Sequence, residues 1–414
     1  MQALKYSSGG RGLKSVLILS KWNAGGVAPA VARLRARGLR PVLISDLPDD
    51  RNRDTCDDHV LMDWDSENLP ALTTRLDRRG IDPIAVVNML EALMPWQIAI
   101  ATHYGLPGAD AGRNVLLSKT LVRERMRTLG LSGMRFSGDP AEVDFFPAIV
   151  KPADQSGASR LVRRVDEPAE LLAYERYLTE LGLGDTRLIV EEYLPGTEFT
   201  VDGPVVAGRF HPVLAGEKPD LDESRHHDAG INLHPPQQDH VRDGVRALSE
   251  AISTLCADLR LDQLWLHVEG RSTEDGRTEL VEINPRPGRG MHFPAIHEPG
   301  GIDPIEAFIS MSLGEFTMPP DQVDPVGDQP ITGLVYVEAD ELGTVEISTG
   351  EDDLRELPGV VNADVINGYQ VSSLEQENFF LGFTVTADSV SQLRARVATV
   401  LSTLDYRITA QPQT

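Results

Sequence analysis

The stretch VEGRSTEDGRTELVEINPRPGRG, residues 268–290, sets two carboxylates, a carboxamide and a guanidinium within a few residues of one another. Glu269 closes the apolar run Leu264–Val268, the polar turn STEDGR follows, and Glu279–Ile283 returns, which predicts a β-hairpin. Alternation along the second strand puts Glu282 and Asn284 on one face and Val281 and Ile283 on the other. Glu269 lies across the hairpin, so Glu269, Glu282 and Asn284 offer three oxygen ligands. Mg²⁺ is usually held by one or two carboxylates together with waters and phosphate oxygens, so this donor set suits Mg²⁺ bridging nucleotide phosphates, with Mn²⁺ as a possible substitute. A surface hairpin solvated by its own acids is the plain alternative. An E-x-N-x-R run ending an apolar strand is an unusual surface choice. Arg286, read as a continuation of the same strand face, would aim a guanidinium at whatever reacts there.

Phosphates need cations, and this chain is short of them. Its 414 residues carry a formal net charge of −24. Lysine occurs only at positions 5, 14, 21, 119, 151 and 218. Lys119 falls near the start of a helix expected over Asn114–Gly130, and Lys151 ends the apolar strand Ala148–Val150 just before Pro152. Gln155–Ser159 follows, a small-residue loop whose backbone N–H groups can approach an anion closely. Ser118-Lys119-Thr120 ends like a P-loop, but the glycine before the lysine is absent and the segment reads as helix. That reading fails. Leu188–Val190 is an apolar strand leading into EEYLPGTEFTVD, and Asp220–His234 is a polar, histidine-rich loop in which Glu223 and His226 stand three apart.

Taken in order, these stretches and the C-terminal portion resemble the ATP-grasp superfamily. His267 ahead of Glu269, the Glu269–Glu282 spacing and RPGRGMHFPAI are most similar to the dipeptide-forming L-amino acid ligases related to biotin carboxylase. The resemblance implies that Lys119 and Lys151 reach the phosphates of ATP. It assigns the loop residues Ser156, Gly157 and Ser159 to the same phosphates, although the superfamily's loop is richer in glycine. Glu191 and Leu194 are implied at the adenine, and Glu198 at the ribose hydroxyls. Glu269, Glu282 and Asn284 would hold the metal, Arg286 would stabilise an oxyanion, and His226 would sit on a loop that closes over the acceptor. The implied reaction is amide formation between a carboxylate and an amine, amino acids being the expected substrates, through an acyl phosphate with release of ADP and phosphate. A stand-alone carboxylase using bicarbonate, or a non-catalytic ATP-binding regulatory protein, remain as alternatives.

Composition fits a globular enzyme, with 41% hydrophobic and 25% charged residues. The acidity argues against nucleic acid or an anionic membrane as partner. Cys56 and Cys256 show no metal or disulfide spacing, Val16–Leu19 is too short for a signal-peptide core, and no run reaches transmembrane length, so a cytoplasmic protein is expected. The fold class is α/β and α+β: an ATP-grasp fold with an N-terminal Rossmann-like (biotin-carboxylase-type) α/β domain and a small C-terminal α+β domain. The expected modules are 1–113 (substrate cleft), 114–318 (grasp, with a mobile lid at about 145–195) and 319–414. No GxGxxG follows the first strand, which disfavours a dinucleotide site. The sequence allows a homodimer without indicating one.

Overall fold

Short aliphatic runs alternating with amphipathic helices form a parallel sheet near the start of the chain, because βαβ crossovers leave helices to cover both faces. The computed structural model describes residues 14–21, 25–154, 159–221, 227–228, 230–288, 297–298 and 301–410. Strands Ser15–Ser20, Arg40–Ser45, Asp58–Leu61 and Pro83–Val87 pair in parallel, with Ser15–Ser20 between Arg40–Ser45 and Pro83–Val87. Helix Val27–Ala36 follows the first strand, Leu69–Arg78 the third and Met94–Tyr104 the fourth. Gly38 ends the first helix at φ 69°, a left-handed conformation that glycine adopts without a Cβ penalty. Leu17, Leu19, Val42, Ile44, Val60, Leu72 and Leu76 share the core.

The chain divides into two compact units, Met1–Arg113 with Pro304–Thr317, and Asn114–Asp303 with Met318–Thr414. The sequence division differs at both later boundaries. Helix Pro304–Ser312 returns to the first unit, where Arg37 pairs with Glu306 and donates to Ser310 Oγ at 2.5 Å. Residues after 318 form no unit of their own, because their strands continue a larger sheet.

That sheet has nine strands and organises the second unit. Strand Leu264–Ser272 lies between Thr278–Asn284 and Thr197–Val206, and Leu214–Lys218, Ile231–His234, Ile331–Glu338, Phe379–Ala387 and Val360–Val365 follow in spatial order. Helix Asp239–Asp258 presents Val241, Val245, Leu248, Ile252 and Leu255 at helical spacing to one face. Phe199, Val201, Val205, Leu264, Leu266 and Val268 pack against it. Period-two alternation then sends Glu198, Asp202, His267 and Glu269 to the opposite face. A four-stranded antiparallel sheet, ordered Phe136–Ser137, Leu188–Glu192, Ala148–Pro152, Arg163–Val165, packs on helix Pro168–Glu180 through Val150, Val165, Leu171, Tyr174 and Val190. A helix, Val390–Thr403, and a three-stranded sheet of Gln370–Val371, Gly343–Ile347 and Tyr406–Thr409 lie in the C-terminal region. The long helix expected over Asn114–Gly130 is shorter. Residues Ala111–Leu117 form a 3₁₀ segment, and the α-helix runs only Lys119–Thr128.

Gly270 follows Glu269 in the central strand. A Cβ there would lie 2.5 Å from Leu248 Cδ2 and 2.6 Å from Phe199 Cζ. Gly270→Ala is therefore expected to cost about 1–3 kcal/mol by overpacking, read as a lower urea midpoint with an unchanged m-value.

Candidate functional site

Glu269 and Glu282 are direct cross-strand partners, as are His267 and Asn284. Both glutamates project into a cleft of about 760 Å³, its open mouth included, in the second unit. The hairpin departs from simple alternation at one point. Glu269 pairs with Glu282 while Gly270 pairs with Leu280, so Val281 is an extra residue in the second strand. The bulge corrects the expectation that Val281 shares the buried face with Ile283: Val281 lines the cleft. Its carbonyl accepts from Lys151 Nζ and from Arg123 Nη2, each at 3.1 Å.

Lys151 reaches this carbonyl from the strand Ala148–Pro152. Val150 points into the core under helix Pro168–Glu180, so its neighbours Ile149 and Lys151 face the cleft. The Lys151 ammonium also pairs with Glu191 Oε2 at 2.9 Å, and Arg123 Nε holds Glu191 Oε1 at 2.5 Å. Burial would raise the Glu191 carboxyl, but Arg123 and Lys151 outweigh it and hold the group at about 2. Lys119, the first residue of its helix, pairs with Glu282 Oε1 at 2.8 Å. Its backbone N–H donates to Ala153 O at 2.8 Å, and Ser118 bridges to Asp154, which staples the helix start to the end of the Lys151 strand. Burial would raise Glu282 too, and Lys119 leads the groups that hold it low instead.

The Glu269 side is balanced by cations that the sequence reading did not single out. Lys218 Nζ lies 3.1 Å from both Glu269 Oε1 and Glu198 Oε1, and 3.6 Å from Asp228 Oδ2. Arg271 Nε holds Glu198 Oε2 at 3.2 Å, and its Nη1 donates to the Leu194 carbonyl at 3.1 Å. His267 donates between Asp202 at 2.8 Å and Glu269 at 3.5 Å. Burial would lower the His267 imidazole, yet Asp202 and then Glu269 push it up to about 10, so it is cationic at neutral pH. Asp202 also accepts from Trp265 Nε1 and the Gly288 N–H. Glu192 lines the cleft between Arg135 and Arg277.

Eight of the sequence-selected residues therefore line one cleft: Lys119, Lys151, Ser159, Glu191, Leu194, Glu198, Glu269 and Glu282. Met134, Ile149, Val162 and Val281 add apolar wall. The Glu191 carboxylate is held by Arg123 and Lys151, so a contact with a base would be made by its backbone groups. Asn284 is buried opposite His267 and is not among the lining residues. Arg286 lies beyond the end of the strand at Asn284, so alternation does not extend to it, and its Nη1 donates to Pro287 O at 3.1 Å. Ser156, Gly157 and His226 fall outside the described residues, as do Glu223 and positions 289–296. Scarcity of lysine was a usable signal for Lys218. Nothing in the sequence distinguished Arg123 or Arg271 from the many other arginines.

Among the described residues, no three His, Cys, Asp or Glu side chains form a self-contained metal cage. Two facing carboxylates in a cleft that also holds Lys119 and Lys151 still fit Mg²⁺ shared with a ligand, since Mg²⁺ rarely has an all-protein shell. No helix among the described residues is long and apolar enough to cross a membrane.

Residues 144–294 match the family model of the ATP-grasp domain. Among solved structures, the L-amino acid ligase of Bacillus licheniformis superposes with a TM-score of 0.76 at 16% identity, covering 97% of this chain and 100% of that one. The biotin carboxylase domain of 2-oxoglutarate carboxylase from Hydrogenobacter thermophilus, in complex with MgADP, ADP and bicarbonate, gives 0.71 at 13% identity over 96% and 92%. N5-carboxyaminoimidazole ribonucleotide synthetase from Thermotoga maritima gives 0.67 at 13% over 96% and 100%. At these identities the likeness is one of fold. No curated protein sequence matches the chain. The chain carries an ATP-grasp domain and adopts the ATP-grasp fold.

Glu191 is the carboxylate paired with both Arg123 and Lys151, so removing its charge takes the partner from two buried cations. Glu191→Gln is expected to cost about 3–5 kcal/mol, more than Lys151→Ala, which leaves Arg123 in place. The sign of the pH effect follows from the depressed carboxyl. Its contribution is complete above the ordinary carboxylate value and is lost as pH falls toward about 2. Urea midpoints from pH 7 to pH 2.5 should thus converge for wild type and Glu191→Gln, and a constant gap would contradict the assignment.

Proposed function

We propose that this chain is an ATP- and Mg²⁺-dependent carboxylate–amine ligase, joining small molecules, with amino acids as the leading substrate class. One observation carries the reading: two facing carboxylates and two lysines from separate elements converge on a single cleft with an apolar wall. Apolar Met134, Ile149, Val162 and Val281 suit a purine, and the cationic end suits its phosphates. In this reading Lys119 and Lys151 neutralise the phosphate oxygens, Ser159 with Ser156 and Gly157 covers them, and Glu198, braced by Lys218 and Arg271, faces the ribose. Glu269, Glu282 and Asn284 hold Mg²⁺ or Mn²⁺, which would draw charge from the transferring phosphoryl group.

The substrate carboxylate attacks the γ-phosphorus and ADP departs. The amine nitrogen then attacks the acyl carbon, phosphate leaves, and the nitrogen loses a proton as the amide forms. Arg286 is the proposed donor to the tetrahedral oxyanion, and His226 lies on the loop proposed to cover the acceptor. A cytoplasmic location belongs to the same reading, and a homodimer is compatible with it. The bicarbonate-dependent carboxylase is the competing chemistry, supported by the fold it shares with the 2-oxoglutarate carboxylase domain.

Phosphate release from ATP with amino acids, singly and in pairs, distinguishes these reactions. Release that requires two amino acids supports the ligase, and release that requires bicarbonate replaces it with the carboxylase. With the amine omitted, hydroxylamine should trap a hydroxamate and ADP should accumulate. Production of AMP and pyrophosphate would exclude an acyl phosphate.

Three substitutions then separate the roles. Lys151→Ala should weaken ATP binding strongly. Glu282→Gln should abolish ADP formation, and normal Mg²⁺-dependent turnover in that variant would remove the metal assignment. Arg286→Ala should spare ADP formation while slowing amide formation by about 10²–10³, the usual cost of one oxyanion donor.

A further inference from the structure

We infer that Glu375, on a loop near the C-terminal end of the chain, is a positioning residue for the nucleotide, holding the 159–162 turn that forms one wall of the cleft. The inference rests on the proposed function in one respect, that the cleft takes a nucleotide. Ser159 and Val162 both line the cleft, and Leu161 stands between them. Ser159 and Leu161 have φ of 51° and 59°, in the left-handed region that non-glycine residues rarely occupy. A turn of this kind persists when its surroundings over-determine it. Inside the turn, one hydrogen bond closes it, from Val162 N–H to Ser159 O at 3.1 Å.

The other restraints come from outside. Tyr174 donates its hydroxyl to Leu161 O at 2.6 Å. Leu161 donates its N–H to Glu375 O at 3.1 Å. The Glu375 carboxylate accepts from the Tyr177 hydroxyl at 2.5 Å and faces Arg163 Nη2 at 3.8 Å. Arg163 itself lies over the rings of Tyr174 and Tyr177, at 5.3 and 5.0 Å. The turn, the strand Arg163–Val165 and the helix Pro168–Glu180 thus meet at one residue, the turn at its backbone carbonyl and the strand and helix at its carboxylate. That hydrogen bond pushes the Tyr177 phenol up from its ordinary value, as an acceptor that is anionic would.

The loop can act as an anchor because it is itself fixed. Asn378 is buried and donates to Ser373 O and Gln376 O, both at 2.8 Å. Glu375 N–H donates to Ser373 Oγ at 3.2 Å. Asn378 O accepts from Ala339 N–H at 2.9 Å, which ties the loop to the end of strand Ile331–Glu338 in the large sheet. An external brace thus holds a turn whose own backbone is strained at Ser159 and Leu161.

The test is nucleotide binding to the full-length protein, by calorimetry with ATP and Mg²⁺, for wild type, Glu375→Ala, Glu375→Gln and the distant control Glu346→Ala. Glu375→Ala should weaken ATP about tenfold, the lower end of what a hydrogen bond to a charged group contributes. Glu375→Gln keeps an acceptor for Tyr177 and should recover most of that loss. Where turnover is measured, KM for ATP should rise while kcat and the KM of the second substrate hold. Amide exchange over residues 159–163 should quicken in Glu375→Ala, with a melting temperature matching the Glu346→Ala control. Wild-type affinity in Glu375→Ala would overturn the inference and leave the proposed function standing. Equal loss in both Glu375 variants together with a lowered melting temperature would overturn it as well, by showing general destabilisation. A wild type that binds no nucleotide would overturn both readings.

Discussion

Two carboxylates face each other across the hairpin at Glu269 and Glu282, and the rest of the second unit has to accommodate that fact. Directly opposed side chains on neighbouring strands stand about 5 Å apart, where like charges repel by roughly 3 kcal/mol at an effective dielectric near 20. Burial alone would drive one of them to take up a proton. Both are instead held below the ordinary carboxylate range, Glu269 by Lys218 and His267, and Glu282 chiefly by Lys119. These cations come from three places in the chain: a helix start, the strand Leu214–Lys218 and the hairpin itself. The large sheet and the staple between Lys119 N–H and Ala153 O exist in the form they do because the charges must arrive together.

The same pairing gives the proposed chemistry a linkage. A phosphate entering the cleft competes with Glu282 for Lys119 and with Glu191 for Lys151. A divalent cation entering it competes with Lys119 for Glu282 and with Lys218 for Glu269. Each arrival releases a group that the other needs, so in the proposed reading metal and nucleotide bind better together than apart. Glu191 limits how far this exchange goes, because Arg123 remains on it whether or not Lys151 moves.

Much of this was legible in the sequence, for identifiable reasons. Glu269 and Glu282 were found because a strand has period two and its apolar half was evident. Val281 was misplaced because a bulge is one extra residue with no compositional mark, and here it turns a carbonyl toward two cations. Lys151 could be read from its position at the end of a buried strand. Lys218 could have been, since it is one of few lysines in the chain and ends a short strand. Arg123 sits in the run VRERMRT, where nothing tells a buried arginine from its solvated neighbours. The C-terminal boundary was drawn at a change of pattern, whereas the structure is set by pairing: Ile231–His234 bonds to Ile331–Glu338 a hundred residues later. Non-local hydrogen bonds of that kind leave no trace in periodicity.

That continuity changes what the C-terminal strands are for. A separate module could contribute to the cleft only by docking, and its loops would be free to differ in position. Strands bonded into the same sheet as Glu198 and Glu269 carry their loops in fixed register with the cleft. One such loop, residues 373–378, contacts both the 159–162 turn and Asp228. Glu375 braces the 159–162 turn, and Glu377 accepts the Asp228 N–H at 2.7 Å, at the foot of the histidine-rich loop. The Glu377 carboxyl is pushed up to about 7, first by burial and then by the Asp228 charge, although the Asp228 N–H hydrogen bond opposes the shift. Asn378, buried beside it, fixes the loop by hydrogen bonds to Ser373 O and Gln376 O. The far end of the chain thus bears on the 159–162 turn at the cleft wall and on Asp228, through a sheet whose pairing was invisible in the sequence.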